Sequence, residues 1–294
     1  MQIHANGIAL EVEDHGAASG EPLLLIMGLG MQLVAWPDDF VASLVKRGFR
    51  VTRFDNRDVG LSQRFDPMGV PNLALASLKY SLGLSVKSPY TLGDMADDAA
   101  AILDVLGLAS AHVCGASMGG MIAQQLAVRH ARRVKSLTLM MTSSGARRLP
   151  QATFKVRGAL LSRPKDPSDI DSVVAHFVRI YKLIGSPAFP ASDADLRARL
   201  NRSVRRAYRP HGTVRQLVAI VADGDRSRLL GGINQPTQVL HGQQDPLVPV
   251  AAGHDLAAKI KGARLDVIEG MGHDLPTALW PRFVAGIAGA AARA

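Results

Sequence analysis

Ala111-His112-Val113-Cys114-Gly115-Ala116-Ser117-Met118-Gly119-Gly120 is the stretch on which the fold turns. Ala111 to Cys114 is a short apolar run of the kind that makes a buried strand, and Met118 to His130 reads as a helix. Between them, Gly115-Ala116-Ser117-Met118-Gly119 is a Gly-x-Ser-x-Gly pentapeptide at a strand-to-helix turn. A serine there projects its hydroxyl above the sheet, and the flanking glycines remove Cβ atoms that would collide in so tight a turn. The following helix aims its first N–H groups at the place where negative charge would develop. The bare pentapeptide is a weak signal; its setting between strand and helix gives it chemical meaning.

Outward from this turn, strands and helices alternate. Met1 to Glu13 alternates loosely around Asn6-Gly7, a hairpin signal. Leu23 to Met27 is an unbroken apolar run stopped by Gly28, which suits a strand buried on both faces of a parallel sheet. Gln32 to Lys46 predicts a helix with Pro37 in or before its first turn, and Phe49 to Phe54 a strand. Gln63 to Tyr90 has no clear period and reads as a long connection. Thr91 to Asp94 resembles a capping box that opens a helix running to about Gly107. Ser136 to Met141, Thr237 to Leu240 and Leu265 to Ile268 read as strands, and Val250 to Ile260 and Pro281 to Ala292 as helices.

Gly145 to Gly231 differs: it has no strand pattern, and Ile170 to Ile184, Asp193 to Tyr208 and Thr213 to Ala222 read as helices between prolines. The pattern predicts an α/β fold, a mostly parallel sheet flanked by helices, with a core of residues 1–144 and 232–294. Residues 145–231 would be an inserted all-helical cap.

Of the 294 residues, 47% are hydrophobic and 20% charged, a balance that argues against disorder. The longest apolar run, Pro22 to Met31, is interrupted by Gly28 and Gly30 and falls well short of a membrane span. The first residues lack the basic start and apolar stretch of a secretory signal, so a cytoplasmic location is expected. A single cysteine, Cys114, excludes an internal disulfide framework and a multi-cysteine metal site. The net charge of +9 is concentrated in one segment, since Gly145 to Gly231 holds 17 basic and 7 acidic residues. Without interleaved aromatics to stack bases, that segment reads as solvated helix faces rather than a nucleic-acid surface.

A serine hydroxyl needs a base, held in turn by a carboxylate, in the chain order serine, acid, histidine for this architecture. Asp245 follows the strand Thr237 to Leu240, and His273 follows the strand Leu265 to Ile268. Both would stand at carboxyl ends of parallel strands, where such sheets place their sites. Asp274 is the nearest rival acid, but a sequence neighbour of His273 would point elsewhere. His112 and His241, at strand ends, are better explained as structural. The backbone N–H groups of Met118 and Leu29 are the expected donors to an oxyanion, and Met31, Trp36 and Met118 are candidate pocket-lining residues, each equally suited to the core. Gly28-Leu29-Gly30 is not a dinucleotide fingerprint, because Leu33 stands where a third glycine belongs. No phosphate-binding loop or zinc-binding helix pattern occurs, so no cofactor or metal is expected.

Together these residues resemble the α/β-hydrolase fold family over nearly the whole chain. The resemblance takes in the Asn6-Gly7 hairpin, the Gly28–Gly30 loop, the turn Asp55-Asn56-Arg57-Asp58, the Gly115–Gly119 turn and the Asp245 and His273 loops. It implies an eight-stranded sheet with the cap between the sixth and seventh strands. Within the family the chain looks most like bacterial serine esterases similar to aclacinomycin methylesterase, with their Met-Gly loop and Asp-x-Arg-Asp turn. Many members carry His-Gly where this chain has Met27-Gly28, which leaves open what holds that loop. The serine argues against the family's haloalkane dehalogenases and epoxide hydrolases, which use aspartate.

The expectation is a serine hydrolase that cleaves a small-molecule carboxylic ester or lactone through an acyl-enzyme, with Ser117, His273 and Asp245 as its triad. Carbon–carbon bond hydrolysis and cofactor-free perhydrolase or haloperoxidase chemistry could use the same residues. A non-catalytic ligand-binding relative is a further alternative. No nucleic-acid or membrane partner is expected, and the sequence leaves the oligomeric state open.

Overall fold

The computed structural model describes residues 1–294. Its strands are β1 (Gln2–Ala5), β2 (Ile8–His15), β3 (Glu21–Ile26), β4 (Phe49–Phe54), β5 (Ala111–Ala116), β6 (Val134–Met140), β7 (Thr237–Gly242) and β8 (Arg264–Ile268). They form one sheet in the order β1-β2-β4-β3-β5-β6-β7-β8. β2 runs antiparallel to β1 and β4, and every other pairing is parallel. The chain passes from β3 to β4 on one side, then crosses to β5 on the other. Sheets of this kind bind ligands beyond the carboxyl ends of the strands where the order reverses. Here that crevice lies after β3 and β5, at the Gly28 loop and Ser117.

The helices are α1 (Asp38–Val45), α2 (Leu73–Ser81), α3 (Leu92–Val105), α4 (Met118–Arg129), α5 (Phe154–Leu161), α6 (Ile170–Ile184), α7 (Asp193–Arg206), α8 (Pro210–Asp223), α9 (Ser227–Leu230), α10 (Ala251–Lys259) and α11 (Trp280–Ala291). Successive side chains of a strand point to opposite faces, so the β3 run feeds two cores. Leu24 and Ile26 pack with residues of α3, α4 and α10 such as Met95, Ile122 and Leu256. Leu23 and Leu25 pack with α1 and α11 through Phe40, Leu44, Phe283 and Ile287. β5 is buried along its whole length, with the Cys114 thiol inaccessible at its centre. Burial pushes that thiol far above the ordinary cysteine range.

Helices α5 to α9 all fall between β6 and β7. α6 and α7 pack through Val173, Val174, Val178, Leu196, Leu200 and Val204, while Val156 of α5 packs on Ile180 and Ile184 of α6. The Thr91–Asp94 capping box is present. Two stretches differ from their sequence reading. Gln32–Lys46 divides into a 3₁₀ turn at Leu33–Ala35 and α1, because Pro37 takes the N-cap position of the helix. The connection from Gln63 to Tyr90 contains α2, whose Leu73 and Ala76 lie away from the side of Leu75 and Leu78, so its apolar residues form no single stripe in the sequence. No helix is long and apolar enough to cross a membrane.

Candidate active site

The turn from β5 to α4 is built by close approach of backbones. A Cβ placed on Gly115 would lie 2.3 Å from the Gly119 carbonyl oxygen, and one on Gly119 would lie 2.0 Å from that of Ile26. No side chain fits either position, so β3, β5 and α4 can converge only on glycine. Ser117 between them has φ +53° and ψ −120°, a conformation an L-residue rarely adopts. Two hydrogen bonds to the β6 end hold it there: its N–H donates to the Met140 carbonyl at 2.9 Å, and its carbonyl accepts from Thr142 Oγ1 at 2.6 Å.

The Ser117 Oγ stands 3.1 Å from Nε2 of His273. The Nδ1 of the same ring stands 2.7 Å from Asp245 Oδ2. Asp245 Oδ1 accepts from the N–H groups of Leu247 at 2.9 Å and Val248 at 2.8 Å. An ionised carboxylate only accepts, so Nδ1 carries the ring proton and Nε2 is left to accept from the serine. His273 is anchored by its N–H, which donates to the Ile184 carbonyl of α6 at 2.7 Å. Thus three residues far apart in sequence meet at the carboxyl ends of β5, β7 and β8. Asp274 turns away, as expected, to accept a hydrogen bond from Ser186, and burial raises its carboxyl above the usual range.

The loop after β3 lies against the serine: a Cβ on Gly28 would be 3.6 Å from the Ser117 Oγ. The N–H groups of Leu29 and Met118 donate to no protein acceptor. Hydrogen bonds from outside the loop hold it. Asn56 Nδ2 donates to the Met27 carbonyl at 2.9 Å, and the Gly30 N–H donates to Oε1 of Gln216 in α8 at 2.8 Å. Gln32 Nε2 donates to the carbonyls of Ser203 and Ala207, both at 2.7 Å. These bonds answer what steadies a loop that starts Met27-Gly28. Of the candidate lining residues, Trp36 and Met118 are fully buried in the two cores, whereas Met31 is half-buried and accepts a hydrogen bond from the Tyr181 hydroxyl.

Residues 21–276 match the family described as alpha/beta hydrolase fold. The chain belongs to that family. Among its α/β-hydrolase relatives, rhodomycin D methylesterase DauP of Streptomyces sp. (strain C5) is 28% identical over 95% of this chain and 94% of its own length. Its counterpart DnrP of Streptomyces peucetius is 27% identical over the same shares. Among solved structures, the enol-lactonase from Burkholderia xenovorans LB400 superposes with a TM-score of 0.75 at 23% identity, covering 99% of each chain. The meta-cleavage product hydrolase of Pseudomonas fluorescens IP01 does so with a TM-score of 0.76 at 18% identity, covering 100% of this chain and 97% of its own.

The sequence reading missed how this hydrolase fastens α7 and α8 to the sheet. Arg215 of α8, 1% exposed, donates to both carboxylate oxygens of Asp58 at 2.7 Å and to Asp66 at 2.9 Å. The Tyr90 hydroxyl donates to Asp58 at 2.8 Å, and burial beside that carboxylate raises the phenol well above its ordinary range. Arg206 of α7 donates to Asp55 at 2.7 Å, a carboxyl whose pKa burial raises. Gln216 Nε2 donates to the Arg57 carbonyl at 2.8 Å. Within the basic segment Arg215 and Arg226 are thus buried anchors and Arg206 a half-buried one, while most of its other arginines are exposed, as the reading of solvated helix faces expects. The one available signal was the polar turn Asp55–Asp58 directly after a buried strand.

Buried histidines complete the surroundings. His241 donates from Nε2 to the Val248 carbonyl at 2.7 Å, and its Nδ1 has no partner. Its Nε2 also lies 3.7 Å from Asp245, and burial holds its pKa below the ordinary histidine value. His112 meets Ser136 at 2.8 Å and Glu21 at 3.2 Å, away from the serine.

Proposed function

We propose that this protein is a serine hydrolase that cleaves a carboxylic ester through an acyl-enzyme, with Ser117 as nucleophile, His273 as general base and acid, and Asp245 as its orienting carboxylate. The carrying observation is the 3.1 Å approach of His273 Nε2 to the Ser117 Oγ, with Asp245 on the far nitrogen of the ring. Ser117 attacks the ester carbonyl carbon while its proton passes to Nε2, and Asp245 stabilises the imidazolium. The carbonyl oxygen becomes an oxyanion that the unpaired N–H groups of Leu29 and Met118 would receive. Collapse expels the alcohol, which takes the proton from His273. Water then attacks the acyl-enzyme, giving its proton to His273, and the acid leaves as Ser117 is restored.

In this reading α5 to α9 form a cap over the crevice, and the ester lies between them and the Gly28 loop. The named activity of the rhodomycin D methylesterases supports a methyl ester of a carboxylic acid as the first substrate to try. A panel of esters, lactones and thioesters, run on the wild type and Ser117→Ala together, tests the assignment. The substitution should lower ester turnover by roughly 10⁶ if the three residues act as a unit. Near-normal turnover by Ser117→Ala would remove the serine from the mechanism. If the panel yields no turnover although a fluorophosphonate labels Ser117, the chemistry moves to the carbon–carbon bond reading.

A further inference from the structure

Nine of the thirteen exposed large hydrophobic side chains fall in two segments, residues 67–93 and 145–165. Leu75 and Leu78 of α2 and Leu82 at its C-cap share one face, since they are spaced by three and four residues. On α5, Phe154 is 86% exposed and Leu161, two turns on, is 57% exposed. The Arg147 guanidinium stacks on the Tyr80 ring at 4.9 Å, so the two segments adjoin. Monomeric soluble proteins seldom leave so concentrated an apolar surface in water without a use for it.

Charge narrows the occupant. The two segments contain eight basic residues and no acidic one. Of the eight, only Arg148 reaches a carboxylate, at 3.4 Å from Asp255, so Lys79, Lys87, Arg147, Lys155, Arg157, Arg163 and Lys165 are free of ion pairs, with Arg147 stacked on Tyr80 and Arg157 on Phe154. A second copy meeting this face about a two-fold axis would bring like charges together around the leucines. A nucleic acid would satisfy the cations and leave Phe154 and the leucines exposed. Only a surface that is apolar inside and anionic at its rim answers both properties.

We propose that this face docks on an anionic lipid bilayer, with the leucines of α2 and Phe154 entering the headgroup boundary and the lysines and arginines lying over acidic headgroups. The inner side of α5 ties this face to the candidate active site. Val156 packs on Ile184, whose carbonyl holds the His273 N–H, and Leu247, beside Asp245, joins the same apolar group. The docked face would therefore lie over the crevice rather than behind it, and a lipophilic substrate could enter from the bilayer. The docking itself does not depend on the ester reading.

The test is co-sedimentation of the full chain with vesicles of phosphatidylcholine alone or mixed with phosphatidylglycerol, at low and high salt. Binding is expected to the anionic vesicles, weakening steeply with salt, with little to the neutral ones. Leu78→Asp combined with Phe154→Asp should lower partitioning by roughly tenfold or more, because two inserted apolar groups become charges. Lys155→Glu with Arg157→Glu should do the same through the electrostatic part. These side chains are exposed or at the surface, so melting temperatures should match the wild type, which separates lost docking from lost folding. Equal binding to both kinds of vesicle, or unchanged binding by both double variants, would overturn the proposal. So would absent vesicle binding with a dimer that the aspartate variant dissolves, or with salt-sensitive binding to a DNA duplex.

Discussion

Ser117 is held in a backbone conformation that costs on the order of 1–3 kcal/mol, offset by its hydrogen bonds to the Met140 carbonyl and from the Thr142 hydroxyl and by the packing around Gly115 and Gly119. Such strain can be read out. Ser117→Gly and Ser117→Ala both lack the hydroxyl, but only glycine adopts a positive φ without a Cβ penalty. The glycine variant should melt above the alanine variant, although glycine costs more backbone entropy; the reverse order in a calorimetric scan would mean that the turn is unstrained. His241 offers a second reading, this time through pH. Burial lowers its pKa in the folded chain. Between that folded value and the ordinary one near ~6.5, the unfolded chain binds a proton that the folded chain does not. Stability should therefore fall as pH drops below about 6.5, by up to ~1.4 kcal/mol per pH unit for this group, and be fully present above it. His241→Gln keeps a donor for the Val248 carbonyl and should flatten that slope by up to one proton. An unchanged slope in denaturant titrations between about pH 5 and 6.5 would exclude His241 as its source.

Among the elements, the Gly28 loop depends on a helix more than 180 residues away in sequence, because the Gly30 N–H reaches Gln216 of α8. Gln216→Leu leaves that N–H and the Arg57 carbonyl without partners and frees the loop that presents the Leu29 N–H. Turnover in the ester assay should fall by roughly tenfold to a hundredfold with a smaller change in KM, since the oxyanion forms after binding. A change confined to KM would place Gln216 in substrate binding instead. The elements themselves were unequally legible. The β3 run declares itself because burial on both faces demands continuous apolar residues, and Ser117, Asp245 and His273 each stand in a short local pattern at a strand end. α2 escaped notice because its apolar residues lie on more than one side, Leu73 and Ala76 away from Leu75 and Leu78, so no single stripe marks the helix. The Gln216 bond was invisible for another reason: glutamine in a helix carries no mark of its partner.

Across the whole molecule, the arginines of residues 145–231 show why charge alone is ambiguous. Arginine at helical spacing looks the same whether it faces water or a buried aspartate, and the partners Asp55 and Asp58 lie about 150 residues earlier. Arg215→Met would leave Asp58 buried with its main counter-charge removed, at a cost of about 3–5 kcal/mol. Adding Asp58→Asn should recover part of that loss, and a double variant no more stable than Arg215→Met would show that the pair is not coupled. The basic surface then divides into buried arginines that bind helices to sheet and exposed cations left for an outside partner.

Cys114 sits at the centre of β5, wholly enclosed and directly before the turn that carries Ser117. With no second cysteine in the chain, a thiol reagent has one target, and it can reach that target only when the middle of the sheet comes apart. The chain thus contains its own gauge of global opening: modification should track complete unfolding, while fraying of the outer helices goes unrecorded.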